Sequence, residues 1–277
     1  MRKIKIVADS SSDLFALDSV HFAAAPLKII TADAEYVDDE SLDVEGMVNT
    51  LLRYKGKSST SCPNIDDWLG VFGDADEVYC FTITAELSGS YNAACLAKDE
   101  YEAAHPERRV FVMNTLSTGP EMALLIHKTE ELTESGADFD TVCKEVTDYS
   151  RKTGLLFMLS SMKNLANNGR VNPIVAKAAG LLGIRVVGKA SSKGDLEPLG
   201  KFRGADGALK GLLDSLIFEG YRGGRLYIAH CFNEGDAATL ADMITEKFAT
   251  AEIKIYRLGG LCSFYAEKGG MLVGFEK

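Results

Sequence analysis

The sequence predicts an α/β protein of two domains, the first a parallel sheet flanked by helices on both faces and the second a mixed sheet with helices. In the first half, short apolar runs alternate with segments of helical periodicity, the order that a helix-covered parallel sheet produces. In the second half, two strand-like runs flank a turn-like segment, which predicts an antiparallel hairpin. The length of 277 residues suits two domains, since a domain typically has roughly 100–200 residues.

The strands predicted in the first half are short and mostly apolar, as expected for strands buried on both faces. One of the intervening helices begins after Asn64, a good N-cap residue. An antiparallel hairpin between Pro26–Ile30 and Glu35–Val37 is also expected. In chain order, the predicted elements are the strands Ile4–Ala8 and Pro26–Ile30, the helices Val44–Tyr54 and Asn64–Phe72, the strand Val78–Ile83, the helix Ser90–Ala104, the strand Val110–Met113, and the helices Gly119–Ser135 and Asp140–Lys152.

The second half contains the turn-like segment Ser191–Asp195 between two strand-like runs. Asn172 followed by Pro173 marks a helix start, because proline fits the first helical position. We place the domain boundary so that residues 1–153 form the N-terminal domain and residues 154–277 the C-terminal domain. In chain order, the predicted elements are the strand Leu155–Ser160, a helix from Asn172 to about Leu182, the strands Ile184–Ala190 and Leu196–Leu199, the helix Gly204–Phe218, the strand Arg225–Cys231, the helix Glu234–Phe248, and the strands Glu252–Tyr256 and Met271–Phe275.

Composition excludes several function classes. The net charge is −10 and no basic run extends beyond Arg2 and Lys3, which argues against a nucleic-acid-binding protein. No apolar run reaches the ~20 residues that a membrane span needs. The six cysteines form no C-x-x-C pair, the four histidines are scattered, and no signal peptide is visible, so we expect reduced thiols, no metal site and a cytoplasmic location.

Four hydroxyl-rich loops stand next to predicted strands or helices. Three of them follow strands, and the carboxyl ends of parallel strands meet at one edge, where ligands bind. Helix N-termini there offer free backbone N–H groups and a positive dipole end, which suit a carboxylate or a phosphate. The same residue types are ordinary helix caps, and that interpretation stays open for each loop. The loops are Asp9–Asp13, Ser58–Pro63, Thr84–Ser90 and Asn114–Gly119.

Nucleophilic catalysis has weaker support. The sequence contains no G-x-S-x-G elbow, no P-loop and no G-x-G-x-x-G motif. Cys62 stands beside a predicted helix N-terminus, which would stabilise a thiolate, but a buried inert thiol is the more common case and is favoured here. Arg170 and Arg203 stand near predicted turns, where a guanidinium group binds a carboxylate or forms a surface ion pair.

Several motifs occur together along the chain. They are Ile4–Leu14, Pro26–Ile30 with Tyr36–Asp38, Ser59–Pro63, Leu87–Ala94, Asn168–Arg170 and Glu197–Gly204. With this combination the chain resembles the DegV family of fatty-acid-binding proteins nearly from end to end. Ser59–Pro63 resembles the family's Thr-Ser-Gln-Pro motif, and Leu87–Ala94 resembles its Leu-Ser-Gly-Thr-Tyr-Gln-Ser-Ala motif.

The resemblance implies a DegV-like pair of α/β domains with an acyl chain buried between or within them. It implies a non-catalytic protein that needs no cofactor and holds a long-chain fatty acid by its carboxylate, mainly through the hydroxyls of Thr60 and Ser88. It also implies a fatty acid kinase as partner, to which the acid is presented for conversion into an acyl phosphate for phospholipid synthesis. The residues expected near the headgroup or the kinase contact are Thr60, Ser61, Ser88, Gly89, Ser90, Arg170, Arg203 and Tyr265.

Two positions depart from the family pattern. Cys62 stands where the family usually has glutamine, and Tyr265 stands where a Thr-His-x-Gly-Pro-Gly pattern usually supplies histidine. Tyrosine donates a hydrogen bond but does not become charged near neutral pH. Two alternatives therefore stay open: a small-molecule enzyme, using Cys62 or acting as a phosphotransferase accessory, and a regulator that senses a lipid without delivering it.

Overall fold

The structure is a computed structural model that describes residues 2–174 and 183–277. Its strands are β1 (Ile4–Asp9), β2 (His21–Ala25), β3 (Lys28–Ile30), β4 (Glu35–Val37), β5 (Ser59–Ser61), β6 (Glu77–Thr82), β7 (Arg109–Asn114), β8 (Thr153–Leu159), β9 (Ile184–Ala190), β10 (Leu196–Arg203), β11 (Gly224–His230), β12 (Ala251–Arg257) and β13 (Met271–Glu276). Its helices are α1 (Val44–Arg53), α2 (Ile65–Phe72), α3 (Ser90–Ala104), α4 (Gly119–Glu134), α5 (Phe139–Ser150), α6 (Lys163–Asn167), α7 (Gly204–Phe218), α8 (Glu234–Lys247) and α9 (Gly260–Ala266).

The first sheet is parallel throughout, in the order β2-β1-β6-β7. Its central strands β1 and β6 are buried on both faces because helices cover both sides. Apolar side chains of α2 and α3, with Trp68 and Phe72 at the centre, pack on one face. Those of α4 and α5, including Met122 and Phe139, pack on the other. Consequently the carboxyl ends of β1, β6 and β7 lie side by side.

A small antiparallel sheet, in the order β4-β3-β5, stands beside the parallel one. It places Thr60 on β5 directly opposite Ile29 on β3. The next helix, α2, starts with a complete capping box, in which Asn64 and Asp67 each bond the other's backbone N–H. Thr60 is therefore fixed by the pairing of β5 with β3, and the capped start of α2 fixes the chain that follows it.

The large sheet has the order β10-β9-β8-β13-β11-β12 and is mixed. Only β11 and β12 pair in parallel among its described strands, and the other neighbours are antiparallel. Side chains of β8 alternate between its faces, so that Leu156 and Met158 pack against α7 and α8, whereas Leu155, Phe157 and Leu159 face the opposite side.

The predicted fold class is confirmed, as are both predicted hairpins, β3–β4 and β9–β10. The strands β2 and β5 and the helices α6 and α9 were not among the predicted elements. The helix expected from Asn172 to about Leu182 lies largely outside the described residues. The division of the chain after residue 153 stays a prediction.

Candidate ligand-binding site

A cavity of about 300 Å³ lies where the loops of the first sheet meet one face of the large sheet. This volume is in the range of small-molecule sites. Leu155, Phe157 and Leu159 of β8 and Leu272 of β13 form its floor. The other apolar lining residues are Leu27, Ile83, Leu87, Leu116, Leu165, Ala190, Leu196, Leu261 and Ala266. Most of the wall is therefore hydrocarbon.

One part of the cavity wall is polar. The hydroxyls of Thr60 and Tyr265 are hydrogen-bonded at 2.7 Å, and the guanidinium carbon of Arg170 lies 5.9 Å from the centre of the Tyr265 ring. Arg170 Nε donates to the Leu87 carbonyl at 3.1 Å, next to Ser88. We refer to this polar part of the wall as the polar cluster. Its members are Thr60, Ser61, Ser88, Gly89, Arg170 and Tyr265.

The start of α3 adds backbone donors to the polar cluster. Gly89 immediately precedes this 15-residue helix, and Ser88 Oγ accepts a hydrogen bond from the Ser90 N–H at 3.3 Å. A Cβ atom on Gly89 would lie 3.3 Å from Cys62 Sγ, so the two loops touch here. The positive end of the α3 dipole thus points toward the cavity wall that Ser88 and Gly89 form.

Tyr265 is a neutral donor at this site. Burial raises the pKa of its hydroxyl, and the hydrogen bond with Thr60 and the positive charge of Arg170 lower it by less. The phenol therefore keeps its proton at neutral pH. Together with the cation of Arg170, Tyr265 therefore offers hydrogen-bond donors for an anion.

Buried carboxylates hold the surrounding loops in place. Asp9 accepts hydrogen bonds from the Ile83 N–H at 2.9 Å and from Ser90 Oγ at 2.6 Å, so it ties the end of β6 to the start of α3. Asp38 accepts from the backbone N–H groups of Gly260 and Leu261, at 2.7 and 3.0 Å. Burial raises the pKa of Asp9, and burial raises that of Asp38 to about 6.

The Asp38 contacts cap the short helix α9 from a distant part of the chain. Because α9 carries Tyr265, this cap helps to position the tyrosine hydroxyl against Thr60. The small antiparallel sheet supplies Thr60, and the turn after its strand β4 supplies Asp38.

Of the eight residues predicted near the ligand, Thr60, Ser61, Ser88, Gly89, Arg170 and Tyr265 line the cavity. Ser90 is absent from the described lining because it is the first residue of α3 and its hydroxyl donates to buried Asp9. Arg203 is exposed and is likewise absent from that lining. It ends β10, seven residues beyond the cavity-lining Leu196, which at about 3.3 Å per residue is on the order of 20 Å away.

Sequence reasoning did not single out several polar residues of the lining. Thr84, Ser117 and Thr118 belong to two of the hydroxyl-rich loops, whose composition was a usable signal. Asp195 lines the cavity from the β9–β10 turn, where nothing in the sequence distinguishes it from an ordinary turn residue. The hydroxyls of the loop Asp9–Asp13 make internal contacts instead. Ser10 Oγ accepts from the Leu27 N–H and Ser11 Oγ donates to Asp9, and neither bond caps a helix.

Cys62 lines the cavity, but no histidine does so in the part of the chain that the structure describes. His127 contacts Glu130, and His230 accepts from the Asn233 N–H. Within the same residues, no group of three or more His, Cys, Asp and Glu side chains is placed to hold a metal ion. No helix in residues 2–174 and 183–277 combines the length and the apolar character that crossing a membrane requires.

Comparison with known proteins identifies close relatives. A family model described as "Uncharacterised protein, DegV family" matches residues 3–277. A DegV domain-containing protein of Streptococcus pneumoniae is 42% identical over 276 residues, which cover 98% of each chain.

Two solved structures are similar over nearly the whole chain. One is a DegV family protein from Eubacterium eligens loaded with heptadecanoic acid, with a TM-score of 0.97, 43% identity and 99% of each chain covered. The other is the Fatty Acid Kinase (Fak) B3 protein of Streptococcus pneumoniae loaded with linoleic acid, with a TM-score of 0.97, 42% identity and the same coverage.

Proposed function

The chain belongs to the DegV family, and from this membership and the geometry of the cavity we propose that it binds a long-chain fatty acid and presents it to a fatty acid kinase. The observation that carries the proposal is a cluster of neutral and cationic donors set in the wall of an apolar cavity of about 300 Å³. A fatty acid has the matching chemistry, an anionic head on a hydrocarbon tail.

In this proposal the polar cluster holds the carboxylate. Thr60, Ser61, Ser88 and Tyr265 supply hydroxyl donors, the start of α3 at Gly89 supplies backbone N–H groups, and Arg170 supplies a positive charge close to Tyr265. A carboxylate buried without donors would be strongly unfavourable, so the donors and the apolar wall have to occur together. A hydrogen bond to a charged group contributes about 1.5–3 kcal/mol, so the removal of any one of these donors should weaken binding measurably.

The hydrocarbon tail lies along the β8–β13 floor in this assignment. Burying apolar surface favours binding by about 0.8 kcal/mol for each methylene, so long chains bind more tightly than short ones until the cavity is full. Both solved structures with 42–43% identity contain long-chain acids, heptadecanoic and linoleic acid. The hydrocarbon tails of such acids match the apolar wall of the cavity, which supports a long-chain ligand for this chain as well.

We assign no catalytic step to the chain itself, and no cofactor beyond the bound acid. Cys62 has no histidine beside it in the described cavity lining, which leaves the thiol-enzyme alternative without a base. The kinase partner follows from the similarity to the Fak B3 protein, and an acyl phosphate is the expected product of that partner. All six cysteines are free thiols, which is consistent with a cytoplasmic location.

The headgroup assignment is tested with purified full-length protein. Native mass spectrometry should show a co-purified acyl species, and the delipidated protein should rebind a long-chain fatty acid. In the variant Thr60→Ala with Ser88→Ala, two donors are lost, and we expect the dissociation constant to rise by at least about 10-fold. The matched control is Ser135→Ala with Thr239→Ala, which removes two exposed hydroxyls that donate to helix carbonyls.

Unchanged affinity in the Thr60 and Ser88 double variant would refute the headgroup assignment. A wild-type protein that neither carries nor rebinds any fatty acid would refute the proposed function. Presentation to a kinase is tested separately, by whether the loaded protein supports ATP-dependent acyl phosphate formation by a fatty acid kinase. A loaded protein that fails this assay would be a lipid-sensing protein.

A further inference from the structure

Phe157 occupies the centre of the cavity floor. It is the middle residue of the three cavity-facing positions of β8, between Leu155 and Leu159. Its cross-strand neighbours are Gly188 on β9 and Leu272 on β13. Three of the four directions around the ring are therefore filled by leucine side chains, and the fourth is left open by a glycine.

The ring lies over Gly188, in the space that a side chain would need. A Cβ atom built on Gly188 would lie 2.3 Å from Phe157 Cζ and 2.7 Å from Cε2, closer than real atoms approach. Although Phe157 lines the cavity, only 2% of its surface is exposed. Gly188 therefore gives the ring a place flat against the sheet, where it takes up little of the cavity.

We propose that Phe157, positioned by Gly188, sets the length of acyl chain that the cavity accepts. This inference rests on the proposed fatty-acid binding and concerns the apolar part of the same site, which takes the hydrocarbon tail. Any side chain at position 188 would push the ring off the sheet, and because leucines fill the other three directions, the ring would turn into the cavity. A smaller residue at position 157 would have the opposite effect and lengthen the space for the chain.

The large sheet contains a matched control for this pair. Gly154 on β8 and Phe275 on β13 are also cross-strand neighbours, and a Cβ atom on Gly154 would lie 2.8 Å from Phe275 Cζ. This second ring belongs to the apolar cluster that packs against α7 and α8, on the face away from the cavity. Substitutions there change the same kind of glycine–phenylalanine contact without changing the cavity wall.

The experiment measures dissociation constants of delipidated protein for saturated fatty acids of increasing chain length. For Phe157→Leu we expect the preferred length to increase, with about fourfold tighter binding for each further methylene that the freed space buries. For Gly188→Ala we expect the preferred length to decrease, with a similar loss for each methylene excluded. The controls Phe275→Leu and Gly154→Ala should keep the wild-type length profile.

The outcomes separate this inference from the proposed function. If wild-type protein binds long-chain acids and the Phe157→Leu profile equals that of wild type, the inference is overturned while fatty-acid binding stands. If wild-type protein binds no fatty acid of any length, the proposed function fails first. A Cβ on Gly188 would also lie 2.6 Å from the Glu197 carbonyl oxygen, so if Gly188→Ala does not fold, the Phe157→Leu profile alone decides.

Discussion

Removing the hydroxyl of Tyr265 isolates one headgroup contact. This hydroxyl is hydrogen-bonded to Thr60 Oγ1 at 2.7 Å, and both residues line the cavity. The substitution Tyr265→Phe keeps the ring, so that the packing against Phe264 and the contact with Arg170 can persist. What is lost is a single donor that stays protonated near pH 7, since burial raises the pKa of this phenol.

The magnitude follows from the kind of hydrogen bond removed. In the ligand-free protein the lost bond is between neutral groups, so we expect the free energy of unfolding to fall by about 0.5–1.5 kcal/mol. In the complex the hydroxyl donates to a carboxylate, and a bond of that kind contributes about 1.5–3 kcal/mol. Because the free protein loses the weaker bond and the complex loses the stronger one, binding reflects their difference of about 1–1.5 kcal/mol. The dissociation constant for a long-chain fatty acid should therefore rise by roughly 10-fold.

The assay combines ligand titration with urea unfolding of the delipidated protein. The control is Tyr256→Phe, because the Tyr256 hydroxyl is buried without a hydrogen-bond partner in the described part of the chain, so its loss should neither weaken binding nor reduce stability. A double-mutant cycle with Thr60→Val should show coupling between the two substitutions. If Tyr265→Phe bound the acid as tightly as wild type, the tyrosine would not contact the headgroup and the polar cluster would have to be reassigned.

Three further predictions concern other parts of the site. The pKa of Asp38 is raised to about 6 from an ordinary value of 3.8, so its proton is bound more tightly in the folded state. The contribution of Asp38 to the free energy of unfolding should consequently fall by on the order of 2–3 kcal/mol as pH rises from about 4 to about 7. Asp38→Asn should remove this part of the pH dependence and leave the part that Asp9 contributes; an unchanged slope would contradict it. Gly194→Ala should destabilise the protein and speed ligand release, because Gly194 has a φ of +88° and a Cβ there would lie 2.1 Å from Thr84 Oγ1. Urea unfolding and ligand dissociation rates test this. The control is Gly136→Ala, since Gly136 also has a positive φ but no neighbour within 4 Å of an added Cβ. Equal losses in both glycine variants would show that the hairpin contact is unimportant. Arg203→Ala should leave the dissociation constant for the fatty acid unchanged, and a clear loss would mean that the arginine reaches the ligand.

Local patterns in the sequence were sufficient for most of the fold. Periodicity located the helices of the parallel sheet and its strands β1, β6 and β7, because buried strands and amphipathic helices place their apolar residues at different spacings. The Asn64 cap and the turn at Ser191–Asp195 were also readable, since the residues that form them are neighbours in the chain. In each case the interaction that decides the structure is local.

Two of the unpredicted elements, β5 and α9, depend on distant partners. The strand β5 has the sequence Ser-Thr-Ser and no apolar residue, and it is extended because it pairs with β3. The helix α9 begins at a glycine pair without a local cap, and its cap is Asp38, which is 222 residues away from Gly260. A search for local start signals has no access to either partner.

The sequence by itself determined the fold class, the hydroxyl-rich loops and most of the residues proposed to hold the headgroup. Only the tertiary structure brought Thr60 to Tyr265, 205 residues apart, turned Ser90 toward Asp9, left Arg203 exposed and laid the Phe157 ring over Gly188. The physical reason is that spacing along the chain reports on neighbours within an element, whereas a cavity is made by the packing of separate sheets. Its apolar lining residues carry the same sequence signal as the solid core around them.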